Sequence, residues 1–443
     1  MGKFIFILIA LIFFIGIFKS HGTNRLIWFF AGAFFFQDRI ILLEYPTVIS
    51  FHRFLIFTLA LSEFFSRKNL YLELKKFPLV KSFVILFLGM LCIGTFDGRH
   101  SIFLNLYRII DDFIQSFFII FLCYLSFENN IEWKKLIKFF LVASIILSLY
   151  GFYNFITKSN PYDAYITKSF NSLSSFDIYN QSFDERFRVN SFTSHPMYYG
   201  YLSSVLCIMS FYSFFFIRQL RYLSLITIPF TFINLILSNS RTPLIVFFIG
   251  LLIFALVGLN AKKMIAFFYV MILISIAIYN ITFIQEKIDA TIEIFKTSES
   301  KTIGSSLIMR NKQLDASYHQ FLKNPIFGNG FYYVNENLGW AKNPEDRIRD
   351  DDFQGFESYI YQLLIEQGSI GILINIIFFS SIFLYFLRRR LLIKEISALG
   401  LTILAMFLTF IIGTGTVNSW IISMGLIGIL IKYIEQTLAN ENE

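Results

Sequence analysis

Long apolar blocks separated by short polar breaks dominate the chain. They stand at 4–18, 26–43, 48–65, 79–97, 102–126, 134–156, 196–217, 222–238, 242–259, 263–283, 357–387, 396–413 and 418–435. A crossing takes about 20 residues, and several blocks are short or interrupted, so the pattern predicts about 12 or 13 transmembrane helices. The fold class expected is all-α, a polytopic integral membrane protein. Two polar stretches break the pattern, 157–195 and 284–356, and both predict long loops outside the bilayer.

Basic residues orient the helices. Arg67, Lys68, Lys75 and Lys76 form one cluster, followed by Lys134-Lys135, Arg218 with Arg221, Lys262-Lys263, and Arg388-Arg389-Arg390 with Lys394. Counting spans between them puts every cluster on one face, which the excess of Lys and Arg makes cytoplasmic. Both long loops then lie on the outer face and the C-terminus inside. The first hairpin is less constrained. Lys19 and Arg25 argue for an inner turn with Met1 outside, while the alternative is a shallow segment at 4–18.

Composition excludes an ordinary soluble domain: of 443 residues, 56% are hydrophobic and 15% charged, with mean hydropathy +0.62. The net charge of +8 is then an orientation signal and gives no support to nucleic-acid binding. Cys92, Cys123 and Cys207 all lie in apolar blocks and read as small buried hydrophobes, without disulfide or metal spacing. Met1-Gly2-Lys3 and the apolar run to Phe18 resemble a signal peptide, but Lys19-Ser20-His21 is no cleavage site, so a retained anchor is expected. Phe6 stands where a myristoylation signal needs Ser or Thr. With no internal repeat and no linker, residues 1–443 read as one integral domain.

Inside the polar stretches, turn and helix signals alternate. The outer loop 157–195 opens with Ser159-Asn160-Pro161 and closes on Arg188-Val189-Asn190-Ser191-Phe192 and His195-Pro196. Ser238-Asn239-Ser240-Arg241-Thr242-Pro243 reads as an outer turn, with Pro243 opening a helix and Thr242 as its cap. Within 284–356 we expect an amphipathic helix around Glu286 to Phe295 and a second over Arg310 to Phe321. Asn324-Pro325 ends the latter, and Gly328-Asn329-Gly330 makes a tight turn.

Candidate chemistry gathers on the outer face. Arg188, Arg241 and Arg310 come from three segments, and a guanidinium offers paired donors to a phosphate or pyrophosphate. Each taken singly is explained by snorkelling or a lipid head group. Glu357 begins the helix that re-enters the membrane, either as an acid stabilised by the helix dipole or as a general base. Glu366, deeper in that helix, reads as a hydrogen-bonded structural acid. Arg108 is spaced to pair with Asp111 or Asp112 within one helix, and Arg53, beside His52, adds positive charge to the same region. His195 before Pro196 suits a cap or packing role, with substrate contact as its functional alternative. Asp350-Asp351-Asp352 between arginines reads as solvated loop, and His319 has no evident partner. No Walker, dinucleotide, HExxH or GxSxG motif is present.

Four of these stretches together resemble the bacterial O-antigen ligase/polymerase superfamily of integral membrane glycosyltransferases. They are Arg188-Val189-Asn190-Ser191-Phe192 with His195-Pro196, Ser240-Arg241-Thr242, Arg310 followed by Asn324-Pro325-Ile326-Phe327-Gly328-Asn329-Gly330, and the segment ending Glu366-Gln367-Gly368-Ser369-Ile370-Gly371. The resemblance implies a helical lipid-carrier glycosyltransferase (GT-C-like) fold in the bacterial inner membrane. It implies no cofactor and no metal, and as partners undecaprenyl-pyrophosphate-linked oligosaccharide, membrane lipids and a chain-length regulator. Arg241 and Arg310 take the places of the family arginines that hold the pyrophosphate, with Arg188, Arg53, Arg108 and His195 as further substrate-binding candidates. Where ligases open the re-entry segment with a histidine-asparagine pair, this chain has Glu357-Ser358. That departure favours a repeat-unit polymerase, with Glu357 as inferred base, over a ligase acting on lipid A-core. A polysaccharide or lipid-linked sugar transporter is the alternative of another class, since charged residues at membrane depth also mark substrate pathways.

Overall fold

The computed structural model describes residues 2–44, 48–67, 69–170, 187–265, 267–269, 272, 304–337, 358–414 and 419–441. The predicted amphipathic helix at 286–295, most of the span 263–283, Asp350 to Asp352 and Glu357 lie outside these residues.

The first two helices, α1 (Gly2–Lys19) and α2 (Gly22–Phe35), form a hairpin. The apolar block 26–43 does not continue as helix beyond Phe35. Ile41–Leu43 (β1) instead pairs antiparallel with Ile49–Ser50 (β2), leading into α3 (Phe51–Ser66), whose cap Ser50 accepts the Arg53 backbone N–H at 3.3 Å. The predicted span 79–97 appears as α5 (Val80–Thr95), preceded by α4 (Leu70–Lys76) at a bend of 105°. Pro78 stands at that bend, where its missing N–H and fixed φ favour a break. A crossing then runs through α6 (Ile102–Phe113), a π-helical turn at Ile114–Phe118, and α7 (Ile119–Ser126).

Next come α8 (Trp133–Thr157), the short α9 (Pro161–Phe170), α10 (Pro196–Phe216), α11 (Arg221–Leu237) and α12 (Arg241–Gly258). After them stand α13 (Gly304–Lys323), α14 (Tyr333–Asn337), α15 (Tyr359–Arg389), α16 (Lys394–Gly413) and α17 (Ser419–Glu441). Among the described residues nine helical segments are long and apolar enough to cross a bilayer, or ten if α4–α5 is one bent span. Helices α2 and α3 fall below that length but pack beside α1. The protein is an all-α multi-pass membrane protein.

The ambiguity of the first hairpin resolves in favour of a span. Lys3 Nζ pairs with Glu44 at 2.7 Å, and Gly2 lies against Ser169 of α9, so the start of α1 lies at the same end of the bundle as α9. Its other end meets a buried ion cluster. Arg25, fully buried, donates from Nε to Ile17 O (3.3 Å) and Ser20 O (3.1 Å), and pairs with Glu63. Glu63 also accepts from Ser126 Oγ (2.7 Å) and Arg67 Nε (2.7 Å). Carbonyls left over at the α1 C-terminus are thus satisfied by a side chain, as helix ends in an apolar medium require.

At the centre stands α10, in contact with α8, α11, α12, α16 and α17 and the most enclosed of the spans. Between lipid-bathed helices the hydrophobic effect offers little driving force, so close approach and interhelical hydrogen bonds matter more. Small residues supply both here. A Cβ on Gly200 would come within 2.9 Å of Pro243 Cβ, and Ser204 Oγ donates to Gly200 O (2.8 Å) and Pro243 O (3.1 Å). This contact seats the first turn of α12, with Arg241, against the middle of the bundle.

Candidate active site

Two polar clusters form on the side opposite the basic loops. The first is built on the strand-like run before α10. Val189 N donates to Leu237 O at 3.1 Å, bringing the Arg188-Val189-Asn190-Ser191 run onto the turn that carries Arg241. Both partners of this junction have left-handed backbone: Ser191 at φ 48° and Asn239 at φ 49°. Asn160 locks the run in place. Its Nδ2 donates to Asn190 Oδ1 (2.7 Å) and Ser191 O (2.8 Å), while its Oδ1 accepts from Tyr150 OH (2.9 Å) and Asp163 N (3.0 Å). Every hydrogen-bonding valence of that amide is used on the loop, which explains a buried asparagine here.

His195 caps α10, its Nδ1 accepting from Met197 N at 3.0 Å. Burial first, then the Arg188 guanidinium, pushes its pKa down to about 4 against the opposing pull of Asp38. It is therefore neutral at pH 7, and its cap geometry fixes Nδ1 as the acceptor. The cap of α12 is Ser240, whose hydroxyl turns to Ser238 O at 3.0 Å; Thr242, expected in that role, is already inside the helix.

Thr242 serves a different purpose, because a Cβ on Gly413 would lie 2.8 Å from its Cγ2. Next to Gly413, Thr414 O accepts the Tyr359 backbone N–H at 3.3 Å. The start of α15 and the start of α12 are thereby held one residue pair apart at the end of α16. Arg241 opens α12 at this junction, and Arg188 lies within electrostatic range of His195. Arg310 lies on α13, but its side chain, like Glu357, is outside what the structure describes.

The second cluster joins α5, α6 and the end of the large outer segment. Arg53 donates to Val48 O (2.7 Å) and Asp111 Oδ2 (2.9 Å), and Tyr332 OH donates to the same carboxylate at 3.2 Å. Arg108 does not pair with Asp111 or Asp112, as its spacing suggested. It pairs with Glu336 and donates to Phe331 O at 3.3 Å, while Asp112 accepts from Ser116 Oγ at 3.3 Å. The reason is packing: residues 331–336 cover the outer end of α6 and offer Arg108 a carboxylate from another element. Glu336 is also held by His100 Nε2 (2.9 Å) and Arg99 Nη1 (3.5 Å). Burial works to raise its pKa, yet the hydrogen bonds and charges of His100 and Arg108 prevail and hold it below the ordinary carboxylate range.

The clusters meet at α15. Glu366, buried, accepts from Val334 N (3.0 Å) and Gln362 Nε2 (3.1 Å), the structural role expected of it. Tyr359 lies within electrostatic range of Asp112 and Glu366. The helix itself is interrupted at Gly368 (φ 61°, ψ −158°), where the Asn324–Gly330 turn inserts. Asn329 N and Gly330 N donate to Ile365 O (2.8 Å) and Glu366 O (2.9 Å), and Ser369 N and Ile370 N donate to Pro325 O (2.9 Å) and Ile326 O (3.2 Å). Two motifs read separately in the sequence are therefore one structural unit.

Asp97, Arg99, Tyr332 and Glu336 escape sequence reasoning, since contacts such as Arg99 to Phe331 O, 232 residues apart, leave no local signal. The arrangement provides the Arg188 guanidinium near a neutral His195 imidazole and places Arg241 at the first turn of α12. It suits the holding of an anionic group beside a polar acceptor.

No curated protein matches this chain at the level of sequence. Residues 225–376, from within α11 to within α15, match the family model described as O-antigen ligase. That stretch contains the Arg241 turn, α13 and the interlocked motifs, and the match supports the resemblance to the O-antigen ligase/polymerase superfamily of glycosyltransferase-like membrane enzymes.

Proposed function

We propose that the protein is a repeat-unit polymerase, joining undecaprenyl-pyrophosphate-linked oligosaccharides at the outer face of the bacterial inner membrane. The observation that carries the reading is the junction of Arg241's helix with the start of α15 through Thr242, Gly413, Thr414 and Tyr359. It brings the helix that opens with Arg241, a residue type suited to pyrophosphate, close to Tyr359 at the start of α15.

The chemistry follows from charge. An acceptor sugar hydroxyl attacks the anomeric carbon of the donor, and the bond from that carbon to the pyrophosphate oxygen breaks. Undecaprenyl pyrophosphate leaves with the electron pair, and a base takes the hydroxyl proton. Arg241 and Arg310, helped by Arg188, stabilise the developing negative charge in a water-poor setting, where fixed charges count most. Glu357 is the proposed base. One displacement with one base inverts the anomeric centre. Arg53 and Arg108, engaged with Asp111 and Glu336, belong to the wall and not to the reacting centre. His195, neutral and capping α10, contributes shape and a hydrogen bond.

The description of the matched family favours a second reading, transfer of finished polymer to lipid A-core. Deleting the gene separates the two: loss of the polymerase leaves a single repeat on lipopolysaccharide, whereas loss of a ligase leaves none and lipid-linked polymer accumulates. Purified protein should extend a synthetic lipid-linked repeat, which a transporter cannot do. Arg241→Ala, Arg310→Ala and Glu357→Ala should each lower elongation about 100-fold or more at unchanged expression. Full activity in all three would remove this site from the reaction.

A further inference from the structure

The outer cluster around Glu336 has the construction of a binding site already filled. Three cationic or cation-forming side chains, Arg99, His100 and Arg108, converge on one carboxylate from the α5–α6 turn and the first turns of α6. The two arginines are placed by contacts that do not involve Glu336. Arg99 grips Asp97 with Nε and Nη2 (3.0 and 2.9 Å), donates to Phe331 O at 3.1 Å and lies over the Tyr333 ring at 5.0 Å. Arg108 donates to the same carbonyl and lies over the Tyr332 ring at 5.3 Å. Guanidinium groups fixed in this way remain aimed at one point whether or not a carboxylate occupies it.

Charge accounting isolates the vacancy that Glu336 fills. Asp97 is matched by Arg99, and Asp111 by Arg53 and Tyr332. Among the described residues, Glu336 is the one carboxylate paired with Arg108. It comes from α14, a separate element 228 residues along the chain, and its side chain stays about one-third exposed on the outer face. We propose that Arg99, His100 and Arg108 form a recognition site for an acidic group of the substrate, in which Glu336 is the resident stand-in. The ligand chemistry is a planar or tetrahedral oxyanion able to take two guanidinium donors: a uronate carboxylate on the saccharide, or a phosphate group. As a statement about substrate this rests on the polymerase reading, because it places saccharide on the outer face. As a statement about anion binding it stands alone.

The test uses the full-length protein in detergent, titrated calorimetrically with methyl glucuronide and, separately, with inorganic pyrophosphate. Removing the stand-in charge by Glu336→Gln should tighten binding of one or both probes about tenfold or more, a difference of roughly 1.4 kcal/mol. Adding Arg108→Gln to that variant should abolish the gain. Response to the glucuronide alone assigns the site to an acidic sugar, and response to pyrophosphate alone to the lipid-linked phosphates. A variant that binds neither probe more tightly than the parent overturns the proposal and leaves Glu336 as a strap holding the outer segment. Should Glu336→Gln fail to purify as a single species, Arg108→Gln in the parent background decides the matter by loss or retention of probe binding. Elongation measured on the same preparations separates the two claims. Parent protein that binds the probes but never elongates sinks the polymerase reading and not the anion site.

Discussion

Gly328 and Gly368 occupy one another's space: both have left-handed backbone, at φ 75° and 61°, and a Cβ on Gly368 would sit 2.6 Å from Gly328 N. A Cβ on Gly328 would in turn lie 2.5 Å from Gln367 N. The conformation of Gly368 (ψ −158°) is one that essentially only glycine adopts. Alanine at either position must distort backbone on both sides, at a cost of roughly 3 kcal/mol or more. Gly368→Ala and Gly328→Ala should therefore lower the melting temperature in detergent and the yield from membranes, whereas Gly98→Ala, with open space around it, should not. Equal melting temperatures for all three would show that the interlock is not what holds α15 in its broken form.

The buried ions near the basic face lead to a second expectation. Glu63 compensates Arg25 and Arg67 at once, and both Arg25 and Glu63 are almost wholly removed from solvent. Glu63→Ala leaves a buried guanidinium without its carboxylate, a loss of about 3–5 kcal/mol. Arg25→Met removes one charge but leaves Arg67 to balance Glu63, so it should cost less. Thermal unfolding of the two variants in the same detergent checks the order. The reverse order would mean that the carbonyl bonds of Arg25 to Ile17 and Ser20 outweigh the ion pair.

Much of the architecture was legible in advance, and the reasons are physical. Apolar length reports on the bilayer directly, which is why the membrane-spanning helices could be read from residue types. The break after Phe35 was not, because Ile41 to Leu43 are as apolar in a strand as in a helix, and short apolar runs do not distinguish the two. At the site, Glu366 was anticipated as a structural acid, and the capping preference of His195 followed from Pro196. The partner of Arg108 was misread because helical spacing describes only what a helix can do alone. Glu336 arrives from a segment whose docking depends on the Asn324–Gly330 turn finding the gap at Gly368. Local patterns name such pieces, but they carry no information on which pieces touch.

Asn160 offers a third test, since its side chain makes four hydrogen bonds that together fix the Arg188 to Ser191 run. Asn160→Ala strands the buried Asn190 amide and the Ser191 carbonyl, with an expected loss of about 2–3 kcal/mol. Asn160→Asp keeps the two accepting contacts and loses the two donated ones, so it should fall between the parent and the alanine variant. Beyond stability, Arg188 loses its anchor. Elongation should then drop further in Asn160→Ala than in Asn154→Ala, whose single donated bond to Ser159 O (3.0 Å) lies away from that run. Equal activity of the two variants would detach Arg188 from the reaction.

The last expectation concerns pH, and its sign follows from His195. Its folded pKa of about 4 lies below the ordinary value of 6.5, with Arg188 disfavouring and Asp38 favouring the charged form. Above pH 6.5 the imidazole is neutral in both folded and unfolded chains and contributes nothing to the dependence. Between 6.5 and 4 the unfolded chain takes up a proton that the folded chain refuses, so stability falls with falling pH across that window. Below about 4 the penalty has reached its full size, on the order of 3 kcal/mol before allowance for solvent screening. His195→Asn keeps an N-cap acceptor and removes the titration. Melting curves of parent and variant should therefore coincide in slope above pH 6.5 and diverge between 6.5 and 4, the variant becoming the more stable of the two. Curves that stay parallel across that window would mean that His195 is not held neutral by its surroundings, and that Arg188 lies too far away to influence it.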